Sequence, residues 1–479
     1  MKKLLKISAL IVLLQLSFTI QANAQLKDIS LTIHLRGVYS SKITLLALTD
    51  NKLFKPFQEV PVMNNGETTK ITIPQDHLPG EFVLRFDYKE KESSTPYPSE
   101  KNIFINDQDL ELRVSPVYCN NADSTKFQPD ERENAGFVRF SKENATRKEK
   151  LGLLQNFLMN YDDPDSKFFK QGIKEYEQRR EIYNQWLKTM EQQDKDLFVS
   201  NLYCFQFVPG VTWRGSENDR VSNLISHYFD GMDFNSPMII KTSELNKWMD
   251  SYVNLYGQQA RTVALRDSLF PLAGKTAIEK AKKGNPLVYG WMVDYFYRGY
   301  ETNGITSGMK ILEPYMNDPN CLTSKRQEIA RRLKGIETLV AGSRAPEIDM
   351  NGPDGSPFVL TSFETPCKNI LVLFWSAGCS HCAELVEKLY PWQQQQDFRK
   401  ETDVIAISLD ETDAEKAAWE KKIPDLKGWK HLRADEGIRS KVAADYFVLA
   451  TPVMVLIDAK TREIIAVPDT FEELASAFH

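Results

Sequence analysis

Two thiols separated by two residues, Cys379-Ser380-His381-Cys382, are the side chains of this sequence whose types and spacing can do chemistry. On the first turn of a helix such a pair can close a disulfide, and the first sulfur sits where unpaired backbone N–H groups and the helix dipole stabilise a thiolate. Cys379 is therefore the expected nucleophile. Cys382, one turn along and deeper, is the expected resolving thiol, which attacks a mixed disulfide and releases the product. His381, when protonated, adds to the stability of the thiolate and favours the reduced form. Half of a zinc site has the same spacing, but a structural zinc needs two more ligands. No second C-x-x-C or H-x-H pair exists in this region, so Cys367 and His431 would have to be recruited by geometry alone. Covalent haem attachment needs a histidine after the second cysteine, where Ala383 stands. The expectation is redox exchange with no metal and no cofactor.

The apolar run Ile370-Leu371-Val372-Leu373-Phe374-Trp375 predicts a buried strand that delivers the motif, and Ser380–Leu389 the helix that it opens. Strands and helices alternate beyond it. Val404–Ser408, Val453–Ile457 and Glu463–Val467 read as strands; Asp413–Lys421, Ile438–Tyr446 and Phe471–Phe478 read as helices. The alternation predicts an α/β layer fold.

In that setting Phe374-Trp375-Ser376-Ala377-Gly378-Cys379-Ser380-His381-Cys382 resembles the active-site segment of the thioredoxin superfamily, and Ala450-Thr451-Pro452-Val453 its cis-proline loop. The lead-in Ala345-Pro346-Glu347-Ile348 and the later Asp354-Gly355-Ser356 are similar to the exported TlpA-type branch, so the resemblance covers about 341–479. It implies that Pro452 faces the dithiol, that the backbone of Thr451 pairs with a substrate chain in strand fashion, and that Trp375 belongs to the substrate-binding surface. The activity it implies is thiol-disulfide exchange with protein cysteines, reductase rather than oxidase or isomerase, together with a periplasmic or membrane electron-transfer partner. The interposed His381 leans the other way, toward an oxidising poise. Two departures stand out. Leu373 occupies the place of the buried acid usual in thioredoxins, six residues before the nucleophile, which leaves the proton acceptor unassigned. Glu384, the nearest carboxylate in sequence, is expected on the solvated helix face. Gly378 replaces the aromatic residue common before the first cysteine and should open the surface there. A peroxiredoxin is disfavoured, because Val372 stands where its proline is expected.

The remaining chain must be accounted for separately. At 479 residues, with 42% hydrophobic and 26% charged residues, it is of globular composition and long enough for about three domains. A formal charge of −5 gives no field that would gather nucleic acid. Residues 1–24 open with Lys2, Lys3 and Lys6, continue through an apolar run and end in Ala22-Asn23-Ala24, which reads as a secretory signal peptide. The mature chain is then expected in the periplasm with no membrane span. Residues 25–119 alternate apolar and polar positions (Ile29, Leu31, Ile33, Leu35; Ile71, Ile73), with strands predicted at Lys42–Thr49, Glu81–Tyr88 and Asp109–Ser115 and a turn at Pro96–Pro98. This is the pattern of a β-sandwich. Residues 120–340 change to helical spacing: Ile173, Tyr176, Tyr183, Leu187 and Met190 share one face, and further helices are predicted at Asn218–Tyr228, Ser243–Tyr256, Thr262–Leu269, Ala277–Lys283, Val288–Tyr297 and Ser324–Leu339. An all-α domain follows, and the order of β, helical and thioredoxin-like regions resembles multidomain periplasmic proteins of Gram-negative bacteria. Cys119, Cys204, Cys321 and Cys367 are expected as buried free thiols. Because more than two-thirds of the chain lies outside the redox region, an envelope scaffold with a regulatory or vestigial dithiol stands as the alternative function.

Overall fold

The computed structural model describes residues 27–49, 53–121, 124–395 and 401–478. The expected signal peptide lies outside the described residues. The chain forms two compact units, Met1–Gln259 with Lys280–Val288, and Ala260–Glu279 with Tyr289–His479. The architecture is multidomain: a β-rich start, a helical centre and an α/β end.

In the first unit β1 (Ile29–Leu35), β4 (Thr68–Ile73), β7 (Leu110–Val114) and β8 (Thr125–Phe127) form one sheet in the order β4-β1-β7-β8. Strands β2 (Ser40–Thr49), β3 (Leu53–Asn64), β5 (Gly80–Lys89) and β6 (Tyr97–Ile105) form the other in the order β3-β2-β5-β6. The period-two positions close one core between them: Ile29, Leu31, Ile33 and Leu35 pack in the same cluster as Ile43, Leu45, Phe82, Leu84 and Phe86. The turn expected at Pro96–Pro98 is instead the beginning of β6, while β3 carries Pro56 and Pro61. Both strands are sheet edges, where a residue without an N–H leaves no ladder bond broken. Part of the β6 edge is closed by a side chain: the amide of Asn134 accepts from Phe104 N (3.0 Å) and donates to Phe104 O (2.9 Å). Asn134 lies in α1 (Glu133–Asn160), which is followed by α2 (Lys167–Gln193), α3 (Glu217–His227) and α4 (Glu244–Gly257). On α2 the stripe is core, with Tyr176, Tyr183 and Leu187 buried.

Helix α5 (Val263–Ala281) is continuous where two helices are expected, because Pro271 sits inside it without ending it. Helix α6 (Pro286–Thr302) buries Tyr289, Trp291, Phe296 and Tyr297, an aromatic cluster that packs into the interior. The second unit continues through α7 (Thr306–Lys310), α8 (Glu313–Met316) and α9 (Arg326–Thr338) to the hairpin of β9 (Asp349–Asn351) and β10 (Pro357–Val359).

The last region is a five-stranded sheet built from β11 (Asn369–Trp375), β12 (Thr402–Ser408), β13 (Lys430–Arg433), β14 (Val453–Asp458) and β15 (Ile464–Ala466), in the order β13-β12-β11-β14-β15. Strands β11, β12 and β13 run parallel, whereas β14 is antiparallel to β11 and β15 to β14. Strand β11 is central and buried on both faces. Ile370, Val372 and Phe374 enter one core, and Leu371, Leu373 and Trp375 the other. Helices α10 (Ser380–Gln393), α11 (Asp413–Lys422), α12 (Lys441–Asp445) and α13 (Phe471–Ser476) complete the region. Leu385, Leu389, Trp419 and Leu474 cover the second core, while Val442, Ala443 and Tyr446 cover the first.

Helix α9 docks on the segment that leads toward Pro452: Arg331 donates to Ala443 O (3.1 Å) and Val448 O (3.2 Å). A Cβ on Gly335 would lie 2.7 Å from Cβ of Phe447, itself at φ 51°. Gly335→Ala therefore exchanges a helix-propensity gain of about 1 kcal/mol for an overpacking cost of about 1–3 kcal/mol. A lowered urea midpoint is expected for this variant, and a raised one contradicts the contact.

Candidate active site

The motif sits where the central strand stops and a helix begins. Strand β11 ends at Trp375, three residues cross the gap, and Cys379 is the N-cap of α10 with extended backbone (φ −82°, ψ 121°). Its sulfur accepts a hydrogen bond from Cys382 N at 3.2 Å. An N-cap needs an acceptor for an otherwise orphaned N–H, and a thiolate fills that position with its charge at the positive end of the helix dipole. The cap that starts the helix is thus also the sulfur expected as the nucleophile.

Sheet register brings the proline opposite. Phe374 pairs with Val453 across β11 and β14, so the residues just before β14 stand beside those just after β11. The Thr451–Pro452 peptide is cis, and Cys379 Sγ lies 3.5 Å from Thr451 O. Thr451 and Pro452 are half-buried, which leaves the loop partly open to a partner. Gly378 is exposed, with open space around the position of a Cβ, so the approach to Cys379 from that side is unobstructed.

The two thiols differ sharply in environment. Cys379 is half-buried, and desolvation by itself would raise its pKa. Hydrogen bonds to its sulfur from the Cys382 side chain and backbone, from the Thr451 hydroxyl and from His381 N–H outweigh that and hold it below the ordinary thiol value. Cys382 is 0% exposed. Burial, and next the hydrogen bond to Cys379, push its thiol up to about 12. One thiol is therefore prepared to attack and the other is held protonated.

His381 contributes its backbone N–H, while its imidazole is exposed and has no hydrogen-bond partner among the described residues. Trp375 does not line the surface. Its side chain is 1% exposed and belongs to the core beneath the motif, because an odd position on β11 points under α10. The expected substrate contact through Trp375 is corrected accordingly. Glu384 is exposed. Of the other cysteines, Cys119 and Cys321 are buried, while Cys204 and Cys367 are half-buried, less enclosed than expected. Burial pushes the thiol of Cys204 up to about 12 and that of Cys321 up to about 11, and raises that of Cys367, so these three are poor nucleophiles beside Cys379. Among the described residues no group of three or more His, Cys, Asp or Glu side chains is gathered as a metal site.

Sequence reading missed Asp410. Its carboxylate is 1% exposed and accepts from the hydroxyls of Ser376 and Ser408 and from Ala377 N. The available signal was its place just past the carboxyl end of β12, the strand beside β11, since that end of an α/β sheet carries sites.

A dithiol on a helix N-terminus, facing a cis-proline that leads into the strand beside the central one of a mixed sheet, is the thioredoxin arrangement, and the C-terminal region is a thioredoxin-like domain. Residues 367–464 match the thioredoxin-like family. Solved structures similar to the chain include a thioredoxin-like protein from Bacteroides caccae, at 17% identity over 56% of this chain and 96% of that one, with a TM-score of 0.38. The thioredoxin domain of a thiol-disulfide oxidoreductase from Bacteroides vulgatus is 26% identical over 29% of this chain and 96% of that one, with a TM-score of 0.25. A thiol-disulfide oxidoreductase from Bacteroides fragilis is 23% identical over 28% of this chain and 97% of that one, with a TM-score of 0.26. None of the curated proteins matches the chain.

Iodoacetamide titration checks the asymmetry of the pair. In the reduced chain Cys379 should be alkylated with a pH midpoint below that of an ordinary thiol, while Cys382 stays unlabelled at neutral pH. Equal labelling of the two, read by peptide mass spectrometry, contradicts it.

Proposed function

We propose that this protein is an exported thiol-disulfide oxidoreductase that acts on protein cysteines, with reduction as its working direction. The observation that carries the reading is the pairing of a half-exposed, stabilised thiolate at Cys379 with a fully buried Cys382 behind it. In the reducing direction the Cys379 thiolate attacks one sulfur of a substrate disulfide, and the other sulfur leaves as a thiolate that takes up a proton. Cys382 then loses its proton, its sulfur bonds to that of Cys379, and the second substrate thiolate is released. The enzyme finishes as the Cys379–Cys382 disulfide, having given two electrons to the substrate. An electron-transfer partner in the periplasm or the membrane must reduce it again.

Thr451 supports protein substrates over small thiols. Its backbone stands beside the nucleophile on the partly open loop and can pair with an extended chain as a strand would. The reductase direction is supported by the imidazole of His381, which faces solvent while the histidine stabilises the Cys379 thiolate through its backbone N–H. Export rests on the lysine-led apolar start of the chain. No helix among the described residues is long and apolar enough to cross a membrane.

Trapping tests the reading. With Cys382→Ser the resolving step is blocked, so disulfide-linked adducts that depend on Cys379 should accumulate in the cell envelope on non-reducing gels. The reduction potential of the wild-type dithiol should lie nearer about −270 mV than about −120 mV. If Cys379 forms no adducts while the chain before residue 341 still captures a partner, the scaffold function replaces the enzyme.

A further inference from the structure

Asp410 is a buried carboxylate that the exchange steps above do not use. Removing such a group from water is costly unless donors surround it, and here they do. One oxygen accepts from Ser376 Oγ, and the other accepts from Ser408 Oγ at 2.7 Å and Ala377 N at 3.0 Å. Asp410 N in turn donates to Ser408 Oγ at 3.2 Å. Two of the three donors to the carboxylate belong to Ser376-Ala377, the short crossing from β11 to the dithiol. The same crossing is held elsewhere by Lys422 Nζ on Ala377 O (3.0 Å) and by Leu409 N on Trp375 O (2.9 Å).

Ser376 is where this clamp meets the cysteines. Its carbonyl accepts from Cys379 N at 3.3 Å, and its N–H is hydrogen-bonded to the sulfur of Cys382. Besides this N–H, the Thr451 hydroxyl favours the Cys382 thiolate, whereas the Cys382 thiol itself donates to the sulfur of Cys379. When Cys379 is tied up in a mixed disulfide its sulfur no longer carries charge or a proton to share. Ser376 N–H and the Thr451 hydroxyl then have to stabilise the thiolate that Cys382 must become. An acid at position 373 would do this directly, but Leu373 cannot.

We propose that Asp410 is the positioning residue of the resolving step, holding Ser376 so that its backbone N–H stays on the Cys382 sulfur as that sulfur loses its proton and attacks Cys379. The inference rests on the thiol-disulfide exchange reading. Charged groups around the clamp are Lys422 from α11, Arg433 from β13, which donates to Asp410 O at 2.9 Å, and Cys379 from the start of α10. Both Asp410 oxygens accept, so the amide of Asp410→Asn has one end that can no longer do so, and Ser376→Ala removes the hydroxyl while keeping the N–H.

Reaction of the reduced full chain with 5,5′-dithiobis(2-nitrobenzoate) separates the two steps, because attack by Cys379 releases one aromatic thiolate and resolution by Cys382 releases the second. In Asp410→Asn and Ser376→Ala the first phase should keep its wild-type rate and pH dependence. The second should slow about tenfold at neutral pH with its pH curve displaced upward, the effect of a rise of about one unit in the resolving thiol. Ser376→Thr, which retains a hydroxyl, should restore it. A second phase at the wild-type rate in both variants overturns the proposal, and so does equal slowing of both phases. If Asp410→Asn does not fold, Ser376→Ala decides alone. A wild-type chain that releases no thiolate removes the exchange reading itself, a result separate from either variant outcome.

Discussion

The hydrogen bond from Cys382 N to Cys379 Sγ ties the fold to the chemistry. A helix beginning immediately after a buried strand needs an acceptor at its N-cap. Here that acceptor is a cysteine sulfur, so helix initiation and thiolate stabilisation are the same interaction. The geometry that permits it is set by the sheet. With β11 central and buried on both faces, neither its position nor its register can slip without moving every second residue into the wrong core. The same register fixes Val453 against Phe374 and so brings Thr451-Pro452 beside the nucleophile.

The two thiols are made different by opposed balances of the same forces. At Cys379 burial is partial and the donors win; at Cys382 burial is complete and dominates. The second balance changes during a reaction cycle. Part of what holds Cys382 protonated is the hydrogen bond to Cys379 and the charge of its thiolate. In the proposed exchange, bonding Cys379 to a substrate sulfur removes that contribution, and Cys382 becomes easier to ionise at the step that needs it. Before that moment its protonation protects a buried sulfur from reacting with anything else. The scattered thiols Cys204, Cys321 and Cys367 lack such a release, because their elevation comes first from burial, which no reaction relieves.

Local chemistry was legible in the sequence where it rests on neighbours along the chain. The dithiol, the strand before it, the helix after it and the proline that precedes β14 all follow from short-range pattern. The period-two core of the sandwich and the stripe on α2 were legible for the same reason. What escaped was set by tertiary partners. Pro96–Pro98 reads as a turn until Pro98 is seen to lie in an edge strand, where the missing N–H has no neighbour to face. Trp375 reads as part of an exposed motif, yet strand parity turns it under α10. Asp410 stands in no local motif, and only the pairing of β12 with β11 places its carboxylate against the crossing that leads to the cysteines.

The helix before the redox domain also bears on the site through backbone contacts that no local pattern encodes. Arg331 of α9 holds the carbonyls of Ala443 and Val448, and Gly335 of the same helix lies against Phe447. The segment 443–448 runs directly into Ala450-Thr451-Pro452, so one end of the cis-proline loop is anchored by β14 and the other by a helix outside the α/β sheet. A guanidinium bridging two carbonyls five residues apart fixes their separation, and a glycine permits the close approach that makes the bridge reach. The backbone around Thr451-Pro452 is therefore held from both sides. Displacing α9 would release Ala443–Val448 first and the Thr451 carbonyl next, while the dithiol, capped by its own helix and clamped by Asp410, would stay where it is.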